Sequence, residues 1–77
     1  MSTVRYIVAA NIGALRVALS QLPAGETGYI DAEEYKEITG EDLDEFSTEG
    51  RRMIAEMAAG VGCTIDCNND RVHFLKK

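Results

Sequence analysis

Basic residues are scarce in this chain. Eight lysines and arginines stand against thirteen aspartates and glutamates, for a formal charge of −5. That shortage speaks against a protein built to neutralise phosphates, because nucleic-acid affinity comes mainly from Lys and Arg. Proline occurs once, at position 23, and there is no low-complexity tract and no solenoid-like repeat. No long apolar run exists either. The longest uncharged stretch near the N-terminus, residues 6 to 15, stops at Arg16, whereas a bilayer-spanning helix needs about 20 apolar residues. The charged start, unbroken apolar run and small-residue cleavage site of a signal peptide are also missing. A cytoplasmic protein is expected.

Residue types that carry chemistry are just as thin. His73 is the single histidine, so a catalytic triad has one candidate base, and no glycine-rich phosphate loop is present. Asp66, Asn68 and Asp70 match the first three ligand positions of a calcium loop. Arg71 then replaces the required glycine and Lys77 the terminal glutamate. Cys63 and Cys67 lie four residues apart, about 13 Å along a strand at roughly 3.3 Å per residue. That separation excludes a mutual disulfide, which needs Cα atoms closer than about 7 Å, and it suits zinc poorly. Free thiols fit a reducing compartment. Neither an enzyme nor a cofactor is expected.

What remains is a soluble globular composition, 45% hydrophobic and 27% charged, in 77 residues. One domain spanning residues 1–77 is expected, close to the lower size limit for a single core. Val4, Val8, Ile12, Leu15, Leu19 and Leu22 fall on one stripe at 100° per residue, which predicts a helix from Ser2 to Leu22. A competing reading makes Val4 to Ala9 a strand, since Val-Arg-Tyr-Ile-Val is rich in strand formers, with Asn11 capping a shorter helix. The long helix is the favoured one. Its opposite side, Tyr6, Ala10, Gly13 and Val17, is apolar and small, and is the expected face of a homodimer.

Further along, Gly28-Tyr29-Ile30 reads as a short strand. Asp31 and Glu34 stand at capping-box spacing for a second helix, and Gly40 suits its C-terminal stop. A third helix runs to about Ala59 from a cap at Ser47 or Thr48, with Ile54, Met57 and Val61 as its seam. Leu43, Phe46 and Met53 extend that seam upstream, so a single helix from Asp42 onward is an alternative. The last segment, "CTIDCNNDRVHFLKK", alternates as a hairpin. A tight turn at Asn68-Asn69 would pair Ile65 with Val72 and Asp66 with Arg71.

In "YIDAEEYKEITG", "FSTEGRRMIAEMAAGVG" and "CTIDCNNDRVHF" the order of elements resembles a winged helix-turn-helix domain. The resemblance implies an α+β fold of three helices packed on a C-terminal β-hairpin, with a short third strand near Tyr29. It also implies nucleic-acid contacts from Ser47, Thr48, Arg51 and Arg52 on the third helix, and from Asn68, Asn69 and Arg71 on the wing.

Charge points elsewhere. Residues 26 to 49 carry ten acids and one base, a net −9, while the rest of the chain carries +4. Glu41, Asp42, Asp44, Glu45 and Glu49, with Glu37 upstream, crowd the expected helix-turn-helix junction where phosphates would lie. The expected function is therefore protein binding through this acidic face. The partner would be a basic surface, and the chain an inhibitor or regulator of a nucleic-acid-handling complex of the phage or mobile-element kind. The rival readings are a dimeric DNA-binding regulator and an assembly subunit docking through its first helix.

Overall fold

A computed structural model describes residues 4–77. Four strands and three helices follow one another in them. These are β1 (Val4–Tyr6), α1 (Ile12–Ser20), β2 (Thr27–Asp31), α2 (Ala32–Thr39), α3 (Thr48–Gly60), β3 (Cys63–Cys67) and β4 (Arg71–Lys76). The strands form one mixed sheet in the order β1-β2-β4-β3, with β1 parallel to β2 and the other pairs antiparallel. The fold is a small α+β domain. The expected hairpin is there, but it is half of a four-stranded sheet in which β2 and β4 are central.

The long first helix is not formed. Ser2 and Thr3 lie outside the described residues, and Val4 to Tyr6 pair with Thr27 to Tyr29. The β-branched residues favour this extended start, and Ile7 continues it by donating its N–H to the Tyr29 carbonyl at 2.8 Å. Ile7 and Ala9 are buried while Val8 is 74% exposed, the period-two alternation of extended chain rather than a helical stripe. Asn11 then caps α1, its side chain accepting from the Ala14 N–H at 2.8 Å. The helical spacing survives from Ile12 onward, and Leu15, Leu19 and Leu22 are buried.

Asp31 caps α2 by accepting from the Glu34 N–H at 2.9 Å. The Glu34 carboxylate reaches instead to the Ala9 N–H, at 3.0 Å, and ties the β1–α1 loop to α2. Gly40 closes α2 with φ of 77°, the left-handed conformation that favours glycine. Residues 41 to 47 form a loop, so the alternative of one helix from Asp42 fails, and α3 begins at Thr48.

All three helices cover the same face of the sheet. Leu15 and Leu19 of α1, Tyr35 of α2, and Ile54 and Ala58 of α3 share one core with Ile30, Val72 and Phe74 of the strands. The hairpin register differs from the expected one by two residues, with Ile65 opposite Phe74 and Cys67 opposite Val72. Asn68 is the cause. Its side chain accepts from the N–H groups of Asp70 and Arg71, both at 2.8 Å, so Asn69 and Asp70 become the centre of the turn. No described non-glycine residue takes a positive φ, and the expected left-handed turn is not used. A two-residue shift leaves every side chain on its expected face.

Candidate functional site

The acidic loop is shaped by hydrogen bonds that hold its own backbone. Thr39 Oγ1 donates to the Tyr35 carbonyl at 2.8 Å and accepts from the Glu41 N–H at 3.1 Å, which turns the chain out of α2. The Glu41 carboxylate then folds inward. Its Oε2 accepts from Ser47 Oγ at 3.0 Å and from the Gly50 N–H at 3.2 Å. Because the Ser47 hydrogen is engaged there, the Tyr35 hydroxyl donates to Ser47 Oγ in a short, buried contact. Ser47 stands at the N-cap of α3, but its side chain makes no cap hydrogen bond. Glu41 does that job from nine residues upstream, with its negative charge at the positive end of the helix.

Two apolar residues of the loop have opposite fates. Leu43 is buried at 6% exposure and pins the loop to the core, whereas Phe46 is 81% exposed. Asp44 sets this geometry by accepting from the Phe46 N–H at 2.8 Å. A rigid turn therefore presents an aromatic ring to solvent, rather than the expected member of the α3 seam. Asp42, Glu45, Glu49 and Glu37 are all exposed, and Asp42 and Asp44 line one hollow with Phe46. Asp42 pairs with Lys36 at 3.2 Å, on fully wetted side chains. Of the six acids assigned to protein binding, Glu41 is spent on structure and Asp44 half so. Of the other four, Asp42 is engaged by Lys36, and Glu37, Glu45 and Glu49 are exposed. A hollow of about 370 Å³ lies beside Phe46, lined by Gly40, Asp42 and Asp44.

The residues implied for nucleic acid are only partly brought together. Ser47 is buried, while Thr48 is exposed at the start of α3. Arg51 is half-buried, and its Nη2 donates to Asn69 Oδ1 at 3.3 Å. Arg52 pairs along its own helix with Glu56 at 3.2 Å. Asn68 is occupied by the turn. Arg71 lies on the sheet face away from the helices, its guanidinium 4.9 Å from the centre of the Tyr29 ring.

The expected dimer face is likewise dispersed. Tyr6 belongs to β1, Ala10 to the loop after it, and only Gly13 and Val17 to α1. The Tyr6 hydroxyl donates to Asp31 Oδ2 at 3.0 Å, and its ring packs 5.3 Å from that of Tyr29. Burial pushes the Cys63 and Cys67 thiols above their ordinary range, against the opposing pull of Lys76 and Arg51 respectively. Among the described residues no group of His, Cys, Asp and Glu is arranged to hold a metal ion, and no helix is long and apolar enough to cross a membrane.

Phe46 and Met53, both expected in the α3 seam, are exposed. Flanking acids gave no signal of this, because Leu43 lies between Asp42 and Asp44 in the same run and is buried. Comparison of the chain with protein-family models, curated proteins and solved structures gives no match.

Proposed function

We propose that this chain is a non-enzymatic protein-binding module that grips a basic partner through the loop between α2 and α3. Exposure of Phe46 inside a carboxylate array carries the reading. Binding energy concentrates in a few anchors, often aromatic, that fill a pocket on the partner, while surrounding charges guide the encounter. Asp42, Glu45, Glu49 and Glu37 supply the guidance, and Phe46 supplies the anchor. Carboxylates spaced along a helix-turn-helix edge imitate the phosphates of a nucleic acid, so the partner class is a nucleic-acid-handling protein that this chain inhibits or regulates. The helix-turn-helix followed by a hairpin is used here as a winged-helix-like frame for protein contact.

Capture of partners on the immobilised protein, with nuclease present, tests the reading when compared with Phe46→Ala and with Glu45→Lys/Glu49→Lys. Loss of an aromatic anchor is expected to weaken affinity about 30-fold, mainly through faster dissociation. The double reversal is expected to slow association roughly 10-fold and to flatten its salt dependence. Neither change touches the core, so folding stability stays within about 0.5 kcal/mol of wild type. Retention of full partner binding by both variants would reject the loop as the site. Salt-sensitive binding of the wild type to a random duplex would favour the DNA-binding regulator.

A further inference from the structure

We propose that the groove between the β1–α1 loop and α2 seats an arginine side chain of a partner protein. Its volume is about 680 Å³, within the roughly 300 to 1,000 Å³ of ordinary ligand sites. One bond fixes its walls. The Glu34 carboxylate accepts from the Ala9 N–H at 3.0 Å and holds the loop against the first turn of α2. Ala9 is buried there, while Val8 and Ala10 on either side of it are exposed, Val8 at 74%. Val8, Ala10 and Gly40 give the groove apolar surface, and Glu33 and Glu37 give it two carboxylates.

Charge and shape together select the occupant. Glu33 and Glu37 stand one turn apart on α2, with about 5 to 6 Å between their Cβ atoms. Both are exposed, and neither pairs with a base among the described residues. Lys36, the base that lines the groove, is drawn off to Asp42 at 3.2 Å. The segment that supplies α2 and the loop after it, residues 26 to 49, carries −9, so an anion is repelled and a cation drawn in. A compact cation would use the carboxylates and leave Val8 and Ala10 uncovered. A long basic side chain uses both, its methylenes lying on apolar surface while its charged head reaches the acids. Arginine suits the pair of acids better than lysine. Its planar fork donates two parallel bonds to one carboxylate and keeps further N–H groups for the second.

Gly40 lines both this groove and the hollow beside Phe46, so the two adjoin. The inference rests on the reading of the chain as a binder of basic proteins, and it adds to the aromatic anchor a second one of defined chemistry.

Backbone amide shifts followed by NMR, as acetyl-Gly-Arg-Gly-amide is added, test this. The shifts are expected to cluster at residues 8–10 and 33–40. The same peptide with citrulline, the neutral isostere of arginine, should move none of them. Glu33→Gln/Glu37→Gln should weaken arginine binding about 10-fold and Val8→Ser about 3-fold, both with unchanged circular dichroism. All three positions are exposed and stand outside the tie between Glu34 and Ala9. If one variant does not fold, the other carries the test. Phe46→Ala should bind the peptide as wild type does. Absence of localised shifts, equal shifts with citrulline, or folded variants that bind like wild type would each overturn the proposal. Shifts centred on residues 41–49 would do so too, as the mark of a diffuse attraction to acids. Peptide binding in the groove, with partner capture indifferent to Phe46, Glu45 and Glu49, would reject the loop alone. The reverse result would reject the groove alone.

Discussion

Two single residues show how far context outweighs intrinsic preference. Gly50 sits in the first turn of α3, and replacing a helical glycine by alanine ordinarily stabilises the helix, by up to about 1 kcal/mol. Here an added Cβ would run into the Tyr35 hydroxyl and come within 2.9 Å of Glu41 Oε2. Those atoms belong to the buried network that caps the helix and cannot easily retreat. Gly50→Ala is therefore expected to destabilise by about 1 to 3 kcal/mol in urea denaturation, and a stabilised variant would show that the network yields. At Tyr6, partial desolvation and then the hydrogen bond to Asp31 push the phenol up from 10.0 to about 12. The folded state thus holds this proton more firmly than the unfolded chain does. Its contribution is complete below pH 10 and is lost as pH rises toward 12. Urea midpoints across that window should fall for wild type and fall less for Tyr6→Phe. Parallel curves would mean that the hydroxyl contributes nothing.

At the scale of elements, the ends of helices are held by residues remote in sequence. Glu41 caps α3 at its start. Lys76, on the last strand, reaches under the helix layer to carbonyls at two other ends, Leu19 near the end of α1 at 3.2 Å and Val61 just beyond α3 at 2.9 Å. A cation at a helix C-terminus satisfies orphan carbonyls and opposes the dipole. Lys76→Met keeps most of the aliphatic stem and removes these bonds together with a longer one to the Ser20 carbonyl at 3.5 Å, and should cost about 1 to 3 kcal/mol. A thermal midpoint unchanged from wild type would show that water replaces the ammonium at no loss. The hairpin register is likewise decided by a side chain. Alternation told which side of the sheet each residue of β3 and β4 faces, and that was right. It carried no information about Asn68, whose side chain chose the turn and moved the register by two residues.

The whole molecule is small against the reach of its own charge. Its extents are 32 × 22 × 18 Å, while the Debye length falls from about 30 Å at 0.01 M salt to about 8 Å at 0.15 M. Residues 26 to 49 carry −9, so at low salt most of the acids repel one another across the domain. Opposing this are ion pairs such as Arg5–Glu26, Lys36–Asp42 and Arg52–Glu56. All three have exposed basic partners, and such pairs contribute about 0 to 1 kcal/mol each. Self-repulsion should win. Raising salt across that range is expected to lift the thermal midpoint by about 5 °C. A midpoint that falls with salt would mean the pairs dominate.

The sequence by itself determined what depends on near neighbours. The α+β class, the cap at Asp31, the stop at Gly40, the inward faces of β3 and β4, and the segregation of charge all follow from spacings of a few residues. Tertiary structure decided the rest, because the deciding partners are distant in the chain. Val4 to Tyr6 suits a helical stripe or a strand on local grounds, and only pairing with Thr27 to Tyr29 selects the strand. Glu41 and Phe46 belong to one acidic run, yet Gly50 and Ser47 draw the first inward. Asp44 and the buried Leu43 turn the second out to solvent. The exposed sheet face also exists only once three helices have chosen the same side, a choice made by one shared core and by no single segment.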